Sequence, residues 1–259
     1  MKSAKEKSRS NASGKVGELW FDELSMKEAE ESARAGRVVI IPVGSVEEHG
    51  DHLPLCTDSL QPEYVALEAA KKTKCLVAPT LRYGVCNSTR NFPGTISIGF
   101  ESLYRITRDI LEEFIRNGFT RILVLSGHAG RSHMAALRLA AQEVIWHHGK
   151  ENAEKKPRIM VCSDYDFAYE LRGKYFSEKD GHAGTIETSR VMAIRSDLVK
   201  MKGKKSFPKL PRFEITADPE RYFPKGIIGD PTAASNEKGR MINRYVISEV
   251  TKLVEELKR

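Results

Sequence analysis

Short apolar runs alternate with longer amphipathic stretches along this chain. Residues 37–43 (RVVIIPV) are mostly β-branched and apolar, as a strand buried on both faces requires, and Gly44 ends the run. Residues 75–78 (CLVA), 121–125 (RILVL) and 158–162 (RIMVC) repeat that pattern. The stretches between them predict helices. Residues 26–35 stop at Gly36, residues 59–72 carry Pro62 in their first turn, and residues 101–117 place Leu103, Ile106, Ile110, Leu111, Phe114 and Ile115 on one face. Residues 131–147 form the next helix, 185–194 another, and 234–257 a long C-terminal one with a stripe at Ile242, Val246, Val250, Leu253 and Leu257. Residues 207–230 are a proline-bearing excursion. Strands alternating with helices at this spacing predict an α/β fold: a single-domain, three-layer α-β-α arrangement on a mostly parallel sheet, with right-handed crossovers.

Composition narrows the setting. With 259 residues the chain can bury one substantial core, assigned to residues 16–259, behind a disordered polar tail at 1–15. No run approaches the ~20 apolar residues that span a bilayer, and the N-terminus lacks the apolar centre of a signal peptide, so a cytoplasmic protein without a membrane partner is expected. The net charge of +7 comes largely from the tail and from lysine-rich patches, which reads as solvated surface rather than a nucleic-acid face. Cys56, Cys75, Cys86 and Cys162 form no C-x-x-C pair and read as free thiols in a reducing compartment.

The densest chemistry follows the first strand. Glu47, Glu48, His49, Asp51, His52 and Asp58 fall within twelve residues of what reads as one loop. In an extended segment Glu47-x-His49 points both side chains the same way, which offers a divalent metal carboxylate oxygen and imidazole nitrogen together. Sheets of this kind bind ligands at the carboxyl ends of their strands, so the other loops should add groups. The loop after the third strand is SGHAGRSH at 126–133, which places His128 at that edge; DGHAGTIETS at 180–189 places His182 before a helix whose first turn holds Glu187. A carboxylate at that position also interacts favourably with the helix dipole. Arg131 suits an anionic substrate group, or equally an exposed helix start. His52 and His133 are placed to orient ligands, and His147 and His148 read as solvated caps at a helix end before Gly149.

PVGSVEEHGDHLPLCTD at 42–58, NFPGTISI at 91–98, SGHAGRSH and DGHAGTIETS together resemble the creatininase family of metal-dependent amide hydrolases, over residues 38–195. The resemblance implies a creatininase-like fold and two divalent metal ions, zinc, manganese or iron. It implies Glu47, His49, Asp58 and His128 as ligands, with Asp58 shared by both ions, and His182 as the catalytic histidine. Where some members carry a ligand Glu this chain has Gly130, so Glu187 is the candidate for that ligand and for a catalytic role. Ser126 and Arg131 stand where the family often has Asn, and with His52 they are the candidate substrate contacts. The family's substrate-binding tryptophans have no counterpart, since Trp20 and Trp146 lie outside the matching loops, which argues against creatinine itself.

The expected activity is hydrolysis of a non-peptide C–N bond in a small-molecule amide by a metal-activated hydroxide. The substrate would be a cyclic amide or a formamide, and family members that deformylate a ribosylaminopyrimidine phosphate in flavin and deazaflavin biosynthesis suggest a phosphorylated one. The resemblance also implies a homo-oligomer, such as a hexamer. A binuclear phosphoesterase, a cysteine amidase using Cys56, Cys86 or Cys162, and a non-catalytic binding protein on the same fold are the alternatives.

Overall fold

The computed structural model describes residues 19–149, 156–200, 203–211 and 213–259; the expected tail at 1–15 lies outside them. Four strands, β1 (Val39–Val43), β2 (Leu76–Val77), β3 (Arg121–Ser126) and β4 (Arg158–Ser163), pair in parallel in the order β2-β1-β3-β4. Alternate residues feed opposite faces, as the two-residue period of a strand demands. Ile40, Leu123 and Leu125 meet Val65, Ala66 and Ala69 of helix α2 (Thr57–Thr73), together with Ile242, Val246 and Val250 of the C-terminal helix (Asn236–Lys258). On the other face Val39, Ile41, Ile122 and Val124 meet Leu103, Leu111 and Phe114 of helix α3 (Phe100–Arg116), and Leu137, Ala141 and Val144 of helix α4 (Arg131–His148). The three-layer parallel architecture is the expected one.

Register sets the height of the site. Val43 pairs with Ser126 and Ser126 with Ser163, so three chains leave the sheet at one level. The first turn of α2 wedges between two of them. A Cβ on Gly44 would lie 2.5 Å from the Asp58 carbonyl oxygen, and one on Gly127 only 2.1 Å from it. Both positions therefore require glycine for close backbone approach. Pro62 leaves that carbonyl without the amide partner a helix would normally supply. Asp58, expected in the loop, is in fact on this first turn, because the helix begins at Thr57 rather than 59.

Three further features were not anticipated. Helix α5 (Asp164–Ala168) follows β4 directly through a Ser163/Asp166 capping box, where only a polar stretch was expected. Asp164 lies 2.6 Å from Arg190 of helix α6 (Thr185–Arg195), and Arg190 Nε donates to Asn243 on the C-terminal helix, which we label α7; both charges are fully buried. His147 is exposed at the end of α4, as expected, but both it and the half-buried His148 pair with Glu112, at 3.2 and 2.5 Å, and tie the end of α4 to α3. Helix α1 (Met26–Arg34), which precedes the sheet, is opened by a Ser25/Glu28 capping box.

Removing one partner of a buried ion pair strands the other charge. Arg190→Met is expected to lower unfolding free energy by about 3–5 kcal/mol, measured by urea denaturation. Asp164→Leu combined with it should recover much of that loss.

Candidate metal centre

The end of β1 carries Glu47 and His49 inward; both are buried, as is Asp58 beneath them. Each histidine is oriented by a backbone carbonyl. His49 Nδ1 donates to the Glu47 carbonyl at 3.1 Å, and His128 Nε2 donates to the Val85 carbonyl at 3.0 Å. The opposite nitrogens then face carboxylates. His49 Nε2 lies 3.1 Å from Asp58 Oδ1 and 3.5 Å from Glu187 Oε2, while His128 Nδ1 lies 2.9 Å from both Glu47 Oε2 and Asp58 Oδ2. A lone pair aimed at a carboxylate is repulsive unless a proton or a cation lies between them. Asp58 spans the two histidines with its two oxygens.

The acidities carry the same signature. Burial works against charge on His49 and His128, yet the neighbouring carboxylates outweigh it and hold both imidazoles well above their ordinary value. For Asp58 burial is again the opposing influence, and the two histidines hold it well below the usual carboxylate range. Glu187 is shifted up by burial, against the pull of His49 and His182. Its Oε2 accepts the Ala183 amide at 2.6 Å, in a turn where Ala183 has a left-handed φ of 52°. Asp180 holds that turn by accepting the amides of Thr185 and Ile186 at 2.7 and 2.9 Å.

His182 stacks on His49 with centroids 4.3 Å apart. Its Nε2 meets the Glu48 carbonyl at 2.9 Å and the Glu48 carboxylate at 3.1 Å. Burial and His49 oppose its charge, but Glu48 and the other carboxylates prevail and raise it. Glu48 is thus buried against the catalytic candidate, whereas Asp51 is exposed. Thr89 donates to Glu47 Oε1 and Ser45 donates to Asp58 Oδ2 at 2.5 Å; neither was singled out in the sequence.

The three expected substrate contacts lie in different settings. Ser126 is wholly buried and belongs to a relay in which the Val85 amide donates to His133 Nδ1, His133 Nε2 to Ser126 Oγ, and Ser126 Oγ to the His128 carbonyl. It holds the His128 loop. His52 is wholly buried against Thr188 at 2.9 Å, and burial, aided by His49, pushes it down to about 4, so it is a neutral packing group. Arg131 is exposed and does not line the cavity that Glu48, the partner of His182, helps to wall. That cavity, of about 390 Å³, is walled by Glu48, Phe92, Pro93, Ile227, Lys204 and Lys225. Ile227, Lys204 and Lys225 come from the excursion after 200, which is pinned to the site where the Ile228 amide donates to the His182 carbonyl at 2.8 Å. The thiol alternative fares poorly at Cys162: burial, with Asp166 and Asp164, pushes it up to about 12.

The family model described as creatininase, creatinine amidohydrolase, matches residues 22–254. The chain belongs to the creatininase family. The match reaches well past the motifs and takes in the excursion and α7. Creatinine amidohydrolase from Pseudomonas putida is 29% identical over 92% of this chain and 96% of its own length. A mycofactocin precursor peptide peptidase from Mycobacterium ulcerans is 31% identical over 82% of each. A solved structure described as creatininase Mn superposes with a TM-score of 0.83 at 26% identity, covering 92% of this chain and 98% of that one. Trp146 is exposed on α4 and Trp20 pairs beside Val77 at the sheet, so neither tryptophan of this chain lines the cavity.

Two outcomes follow from this packing and these acidities. Gly127→Ala should cost about 1–3 kcal/mol through overpacking against Asp58 and weaken metal retention, read by thermal melting and metal analysis. In the metal-free protein the raised His49 and His128 contribute stability that is full below about pH 6.5 and lost as pH rises through their folded values. Asp58 contributes in the opposite sense, above its ordinary value near 3.8, and that contribution is lost as pH falls through its depressed value. The gain in melting temperature on adding zinc should therefore grow from about pH 6 to about pH 8.

Proposed function

We propose that this metal-dependent hydrolase cleaves the C–N bond of a small cyclic amide or formamide bearing an anionic group, with a ribosylaminopyrimidine phosphate formamide as one fitting substrate. The observation that carries the reading is the pair of histidines presenting ring nitrogens to Glu47, Asp58 and Glu187 in a buried setting. That donor set of imidazole and carboxylate fits zinc, manganese or iron. Glu47, Asp58 and His128 would hold one ion and His49, Asp58 and Glu187 a second. A divalent metal held there supplies Lewis-acid polarisation of the carbonyl and a water that is nucleophilic at neutral pH.

The chain's own residues do the rest. His182 carries a proton at Nε2, shared with the Glu48 carboxylate and carbonyl, and is charged more readily than an ordinary imidazole. It is placed to stabilise a developing oxyanion or to protonate the departing nitrogen. Phe92 and Ile227 give the cavity apolar walls against which a planar ring can pack, and Lys204 and Lys225, which share the lining with the carboxylates of Glu48 and Asp51, are the cations available there to a carboxylate or phosphate.

Metal-free enzyme tested on cyclic amides, formamides, short peptides and phosphate esters should be inactive on all and regain amide hydrolysis with zinc, manganese or iron. His182→Asn should lower kcat by about 10²–10⁴-fold with metal content unchanged. Activity confined to the phosphate esters, or surviving complete removal of metal, sinks the proposal.

A further inference from the structure

Cys86 sits where a free structural thiol has no evident purpose. It is 1% exposed and its amide is held by Ser97 Oγ at 2.9 Å, in the segment that also supplies the Val85 carbonyl orienting His128. Its sulfur, a carboxylate oxygen of Glu47 and a ring nitrogen of His128 all lie within 4.8 Å of one another. Glu47 Oε2 is buried and, beyond its 2.9 Å approach to His128 Nδ1, makes no hydrogen bond among the described residues, whereas Thr89 satisfies the other oxygen. Sulfur, oxygen and nitrogen donors thus converge at one buried point. The other three cysteines join no such group among the described residues.

We infer that Cys86 is a thiolate ligand to the metal held by Glu47 and His128, which biases that position toward zinc and away from manganese. This rests on the metal-binding reading of the site. On binding, the S–H bond breaks, its proton leaves to solvent and a sulfur–metal bond forms. Thiolate is a soft donor that favours zinc, whereas oxygen donors suit manganese, so one sulfur in an otherwise nitrogen and oxygen set changes selectivity. The carbonyl of Val85 and the sulfur of Cys86 come from consecutive residues. The same short segment therefore sets the tautomer of one ligand and supplies another.

Cobalt is the probe. The metal-free full chain is reconstituted with cobalt and its spectrum recorded from the near ultraviolet to the visible. Wild type should show a near-ultraviolet thiolate-to-cobalt charge-transfer band that disappears in Cys86→Ser and persists in Cys56→Ser. Competition between zinc and manganese should show Cys86→Ser losing at least the roughly 10–100-fold in relative zinc affinity that loss of an outer partner costs. Wild-type protein that binds cobalt, with its visible bands, but lacks the near-ultraviolet band overturns the Cys86 assignment and leaves the metal centre standing. Protein that binds no cobalt overturns both. The wild-type spectrum decides the matter even where Cys86→Ser fails to fold.

Discussion

The close approach of α2 to the ends of β1 and β3 is the constraint on which the centre depends. Asp58 pairs with both histidines, one oxygen to each, and it does so because its backbone lies against two residues without side chains. Ordinary contact would hold the helix start farther from the sheet and move Asp58 from between His49 and His128. The parallel register supplies the rest, since it brings the exits of β1, β3 and β4 to one height. A buried site of this charge density is expensive without compensation. The compensation is shared among protons, a cation and the outer hydrogen bonds from Ser45 and Thr89.

Much of this was legible in the sequence. The strands announce themselves because residues facing either layer must be apolar, so continuous runs such as RILVL leave little choice. Gly-His-Ala-Gly twice, at strand end and helix start, marked His128 and His182 by position. Other features were hidden for physical reasons. Asp58 looked like a loop residue because Pro62 blurs where a helix begins. The burial of Glu48 could not be read because its cover, Gly226 and Ile227, comes from a segment with no periodicity and far along the chain. Ser126 and His52 were expected at the substrate because adjacency in sequence to ligands resembles adjacency in space; both are wholly buried, against His133 and Thr188 respectively.

The buried Arg190 and Asp164 pair was equally silent. An arginine in an amphipathic helix normally reads as surface, and only the packing of α5, α6 and α7 shows it enclosed. It lies one helical turn from Glu187, so the charge that braces α6 belongs to the same element that carries a candidate ligand. Fold and site are therefore not separate layers of this molecule.

The segment from 203 to 229 has a consequence of a different kind. It holds no candidate ligand, yet it builds one wall of the cavity and is fastened through main-chain hydrogen bonds to Gly181, His182 and its own far end. Because those fastenings do not depend on side-chain identity, the wall can change its residues while the anchoring stays the same. The metal-facing loop and this segment thus meet at one cavity, the first bringing charge that is fixed by its neighbours and the second a surface whose side chains are free to vary.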